Sequence, residues 1–100
     1  MGKRTKVSTL REFDMAELLD SDAAVADYIN IVLAEDDQAA LAEALGTVAR
    51  ARGMTAIAEG AGIGREALYK ALRPGADPRF DTIRRVCAAL GVRLIAVPTT

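Results

Sequence analysis

The stretch TAIAEGAGIGREALYKAL, Thr55 to Leu72, decides how this chain is read. Gly60, Gly62 and Gly64 stand at every second position between two segments that otherwise favour helix. Thr55 is placed to cap a first helix, whose inward residues are Ile57, Ala58 and Ala61. A second helix starts after Gly64 and turns Leu68, Ala71 and Leu72 inward. Between them the chain must reverse within a few residues, and Gly62 tolerates positive φ without a Cβ penalty. Ile63 plugs the inside of the corner, and Ala58 is small where the second helix crosses closest. The combination predicts a helix-turn-helix at 55–72, with an ordinary αα-hairpin as the plain alternative. A phosphate-cradling loop fails as a reading of GAGIG. The segment before it is helical, the glycine spacing is wrong, and the P-loop lysine and hydroxyl are missing.

If the second helix enters a major groove, its outward set is Arg65, Glu66, Tyr69, Lys70 and Arg73. Arg65 suits a bidentate contact with guanine, and Glu66 can accept from cytosine. Tyr69 can pack on a sugar or a thymine methyl, while Lys70 and Arg73 suit phosphates. Thr55 adds a hydroxyl and a helix start for a further phosphate. Each of these residues taken singly is as well explained by solvation. Five polar residues on the outer side of one short helix favour a shared partner.

Outward from this corner the pattern stays helical. After Ser21 or Asp22, the residues Val25, Tyr28, Ile29, Val32 and Leu33 recur at helical spacing. Asp36 or Asp37 can cap the next helix, which carries Leu41, Leu45, Val48 and Ala49 and stops at Gly53. Gly46 interrupts that helix at a cost of about 1 kcal/mol and suggests close packing. RPGADP, from Arg73 to Pro78, is a loop. Phe80, Ile83, Val86, Cys87 and Leu90 then make an apolar face stopped by Gly91. Tyr28 and Phe80 read as core anchors. The tail VRLIAVP is β-branched and predicts a short terminal strand. The expected fold is all-α, about five helices with one short C-terminal β-strand. Residues 1–20 form an arm and lead-in, and residues 21–100 a single helical domain.

With 51% apolar residues and only 4% aromatic in 100 residues, the core must be aliphatic. No run approaches the roughly 20 apolar residues of a membrane span, and the basic N-terminus lacks the apolar stretch of a secretory signal. One cysteine and no histidine exclude a disulfide framework and leave no plausible zinc site. No catalytic constellation is present, so an enzyme is not expected, nor any cofactor or metal; the expected compartment is the cytoplasm. Cys87 has no histidine to activate it and reads as a small buried hydrophobe.

The net charge of −1 conceals a partition. Lys3, Arg4, Lys6 and Arg11 face no acid in residues 1–11. Residues 12–45 hold ten acids and no base, and residues 46–100 hold nine bases against four acids. Such segregation suggests two surfaces with two partners, against the plain reading of solvated helix faces.

The run ALGTVARARGMTAIAEGAGIGREALYKALRPGADPRFDTIRRVCAALGVRL resembles the antidote proteins of addiction modules, HigA-type antitoxins with a lambda-repressor-like (XRE) helix-turn-helix. The upstream DMAELLDSDAAVADYINIVLAEDD is similar to that family's acidic lead-in, so the resemblance spans roughly residues 12–97. It implies a homodimer that binds operator DNA, represses its own operon and neutralises a toxin of the RelE/ParE type. Gly64 departs from the serine more usual before the recognition helix, which weakens the cap and removes a phosphate contact. Phe13, Glu17, Leu18, Asp20 and Asp22 are the candidate toxin contacts on the acidic lead-in, with Leu19 as a further apolar anchor. A stand-alone repressor without a toxin and a helical interaction module without DNA are the competing readings.

Overall fold

Two helices start from side chains that satisfy orphaned amides. The Ser21 hydroxyl accepts from the Ala24 N–H at 3.1 Å and opens α1, Asp22–Ala34. The Asp37 carboxylate accepts from the amides of Ala39 and Ala40 at 3.1 and 3.2 Å and opens α2, Gln38–Arg52. Gly53, at φ 103°, ends α2 and starts α3, Met54–Ala61, in a single residue. Helices α4, Arg65–Leu72, and α5, Phe80–Ala89, come next. This computed structural model describes residues 19–99. Among them it is all-helical, with five helices and no strand.

The corner between α3 and α4 forms as the glycine spacing predicts. Gly62 adopts φ 69°, and its N–H donates to the Glu59 carbonyl at 3.2 Å. The Ile63 N–H reaches back to the Ala58 carbonyl at 3.0 Å. These two bonds are the glycine-ended termination that satisfies the last carbonyls of a helix. Gly64, at φ −61° and ψ 144°, is extended and leads directly into α4.

Helix α2 is the hub and packs against each of the other four. Its Leu45, Val48 and Ala49 are wholly buried, with Val25 and Ile29 of α1, Leu68 and Leu72 of α4, and Val86 of α5 around them. Burying each such aliphatic side chain contributes about 1.5–3 kcal/mol. Gly46 explains how α4 comes so near: a Cβ there would stand 2.9 Å from the Leu72 carbonyl oxygen. Helix α3 makes its largest contact with α5, where Gly60 faces Ala89. Among the described residues no polar or charged one is buried, so their charges lie where a partner can meet them.

Several expectations need correction. Thr55 does not cap α3; that helix begins at Met54, and Thr55 is an exposed residue of its first turn. Gly53 has taken the boundary position because the chain leaves α2 and enters α3 without an intervening loop. Leu33 is 40% exposed and Phe80 66% exposed. Both were expected on inward faces, and no described element covers them. Leu19, expected as a free apolar anchor, is 4% exposed and belongs to the core. The β-prone tail forms no strand, because nothing among the described residues offers it a ladder partner.

Candidate nucleic-acid interface

Helix α4 is held by Leu68 and Leu72, which are 0% and 1% exposed, with Ala71 half-buried beside them. That anchoring leaves Arg65, Glu66, Tyr69, Lys70 and Arg73 all exposed. Glu66 lies in the first turn and Lys70 in the last, each complementary to the helix dipole at its end. The Arg65 guanidinium sits over the Tyr69 ring, 5.5 Å from its centroid, with one nitrogen 3.4 Å from the phenolic oxygen. This stack holds a long side chain at the open start of the helix. Gly64 immediately precedes it, and a Cβ there would meet nothing within 4 Å. A backbone or phosphate can therefore approach the first amides of α4 closely. Thr55 is exposed in the first turn of the preceding helix, α3.

The turn also has a neighbour that periodicity did not reveal. The Arg85 guanidinium of α5 lies 3.7 Å from where a Gly62 side chain would begin. Asp81 holds that arginine at 3.0 Å and Arg84 at 2.9 Å. Arg85 thus adds a positive charge from α5 beside the turn. The i, i+4 spacing of Asp81 and Arg85 is visible in the sequence; the proximity of α5 to the turn is not.

The acidic candidates divide differently. Phe13, Glu17 and Leu18 lie outside the described residues. Asp20 is exposed, whereas Asp22 is already engaged: its carboxylate meets Arg52 at 3.2 Å and ties the start of α1 to the end of α2. Asp27, Glu35, Asp36, Asp37 and Glu43 are exposed along α1, its joint and α2. Asp36 takes φ 60° in that joint, an uncommon conformation for a residue with a side chain. A cleft of about 250 Å³ opens there, between Val32, Leu33, Asp36, Asp37, Gln38 and Leu41.

Chemistry inside the domain is sparse. Burial pushes the Cys87 thiol up to about 11, away from the range of a reactive thiolate. Tyr28 is raised above 10.0 by burial first, then by Glu43 and Glu35. Among the described residues no cluster of His, Cys, Asp or Glu is arranged to hold a metal, and no helix is long and apolar enough to cross a membrane.

A family described as "Probable addiction module antidote protein" matches residues 9–98. The chain belongs to that antidote family. An uncharacterized protein of Haemophilus influenzae (strain ATCC 51907 / DSM 11121 / KW20 / Rd) is 45% identical over 84 residues, covering 84% of this chain and 87% of that relative. No solved structure matches. The match with the antidote family takes in α1 to α5 and the tail, so the acidic α1–α2 layer and the basic corner are parts of one family unit.

Proposed function

We propose that this chain is the antitoxin of a two-component toxin–antitoxin module, of the HigA type. It neutralises a RelE/ParE-type toxin by direct binding and represses the shared operon from the cytoplasm. Helices α3 and α4 act as a lambda-repressor-like (XRE) helix-turn-helix, with α4 in the major groove. The observation that carries the reading is antidote-family membership over residues 9–98, in a chain whose α4 exposes a full polar face next to a glycine corner.

The charge partition supports a division of labour. Between residues 20 and 45 there are seven acids and no base, a surface that repels DNA and attracts a basic protein. An RNA-cleaving toxin must be basic where it holds RNA. Because one eight-residue helix reads few base pairs, the operator form is a homodimer on two half-sites about one helical turn apart.

The decisive experiment measures binding of the purified protein to DNA upstream of its gene. Arg65→Ala costs about 1–3 kcal/mol on the preferred sequence and relaxes sequence preference, whereas Lys70→Ala weakens all sequences evenly. Folded variants that bind like the wild type would remove α4 from the recognition role and favour an interaction module without DNA. A parallel assay asks whether the full chain relieves growth arrest by the neighbouring toxin gene. Failure there with DNA binding intact identifies a stand-alone repressor.

A further inference from the structure

The joint between α1 and α2 is short, acidic and fixed. Only Glu35, Asp36 and Asp37 separate the two helices. The Glu35 and Asp36 N–H groups donate to the Val32 and Leu33 carbonyls at 3.0 and 3.2 Å, which pins the turn. The cleft of about 250 Å³ at this joint has an apolar side, Val32, Leu33 and Leu41, and a polar rim, Asp36, Asp37 and Gln38. Asp37 accepts both of its capping amides through Oδ1 and keeps Oδ2 for a further donor. Gln38 donates its side-chain amide to the Asp77 carboxylate, which sets a third acid beside the rim. Leu33, expected in the core, is 40% exposed and also borders a groove between α1 and the tail, with Ala26, Ile29 and Ile95. One bare leucine therefore divides two hollows. Exposed apolar surface rimmed by charge marks a place where a protein partner docks. The cleft is smaller than the roughly 300–1,000 Å³ of small-molecule sites, so it suits a side chain presented by a partner.

We propose that the toxin docks across Leu33, seating an apolar side chain against it and an arginine or lysine between Asp36 and Asp37. The inference rests on the toxin partnership proposed above and names its surface, away from Asp22, whose carboxylate is already held by Arg52. Charge selects the occupant. Residues 20–45 carry seven acids and no base, so DNA is repelled from this side and a basic RNA-binding protein is drawn to it. A second copy could offer only its basic half to this acidic cleft. That contact joins two different surfaces, which builds a ring or an open chain rather than a two-fold dimer. The hydrogen bonds of the joint hold the rim in place beforehand, so little ordering is lost on binding. Leu33 supplies the desolvated anchor, and the carboxylates set the orientation and speed of association.

Binding of the purified product of the neighbouring toxin gene to the full chain, measured across salt concentrations, tests this surface. Asp36→Asn combined with Asp37→Asn removes both charges while keeping residues that suit the left-handed turn and the helix cap. The pair weakens toxin binding about tenfold or more, slows association and flattens its salt dependence. Leu33→Ser weakens binding by a similar factor through faster dissociation. Asp27→Asn combined with Glu43→Gln removes the same charge from exposed positions outside the cleft and changes affinity by less than about twofold. Far-ultraviolet circular dichroism confirms unchanged helix content in each variant. A neighbouring product that does not bind the wild type overturns the toxin partnership and this docking together. Equal losses from the two charge-removing pairs assign the attraction to the whole acidic layer and overturn the cleft alone. Toxin binding that survives both Leu33→Ser and the paired asparagine changes also overturns the cleft alone, and self-association lost in those variants gives it to a second copy.

Discussion

Helices α3 and α5 end in the same way and lead to different outcomes. Gly62 at φ 69° and Gly91 at φ 84° each stand just past the last turn in the left-handed region. The next residue then reaches back five positions, Ile63 to Ala58 and Val92 to Cys87. After the first ending the chain resumes as α4, because Leu68 and Leu72 find α2 waiting. After the second it runs on without regular secondary structure, because the β-prone residues find no strand beside them among the described residues. The glycine thus sets where a helix stops, and packing sets the course of the chain beyond it.

The largest effect that sharpens this contrast is in the packing. Leu68→Ala empties a wholly buried site beyond the first ending and destabilises the domain by about 2–5 kcal/mol in urea unfolding. Ile95→Ala, beyond the second ending, changes the unfolding of the single chain by less than about 0.5 kcal/mol. Equal losses would break the comparison.

The glycines themselves come next. Gly62→Ala forces an L side chain into the left-handed region at a cost of about 1–2 kcal/mol. Gly91→Ala carries the same strain, and its Cβ would stand 2.5 Å from the Asp22 carboxylate, an exposed side chain that must swing aside and loosen its ion pair with Arg52. Thermal unfolding of the two variants ranks them.

Alkaline unfolding gives a smaller and more local difference. The residues whose carbonyls accept those back-reaching bonds are Ala58 and Cys87, and only the second titrates. Cys87 has its thiol raised from 9.0 to about 11 when folded. The protonated form is favoured in the folded state, so its contribution is complete below pH 9 and declines as pH rises toward 11. Between pH 7 and pH 10 the wild type loses up to about 1 kcal/mol more than Cys87→Ala does, read from urea midpoints at both pH values. The smallest effect is at Gly64, extended and unobstructed, where Gly64→Ala is neutral or stabilising by a few tenths of a kcal/mol. Its contrast with Gly62, two residues away, shows which glycine the turn requires.

The corner and the inward faces of α1 to α5 were legible because they depend on near neighbours in the chain. Helical period, Asp37 before an alanine-rich run and Gly62 at a reversal all act within about four residues. The exposed face of α4 was legible for the same reason, since it is the complement of Leu68, Ala71 and Leu72. Its role toward DNA remains with the operator experiment. The placements that went astray turned on the abrupt joint before α3 and on what packs over α5. Thr55 lost its capping position to an abrupt joint at Gly53, and Phe80 found no cover among the described residues.

The sequence by itself determined the five helices of the described residues, their boundaries to within a residue or two, the glycine corner and the segregation of charge, because these reside in local propensity, period and composition. Tertiary structure alone decided which features met. It drew Leu19 into the core and joined Asp22 to Arg52 across thirty residues. It also set Arg85 beside Gly62 and left Ile95 and Val97 bare. Such pairings depend on close packing between helices far apart in the chain, where Gly46 permits an approach that one added methyl group would block.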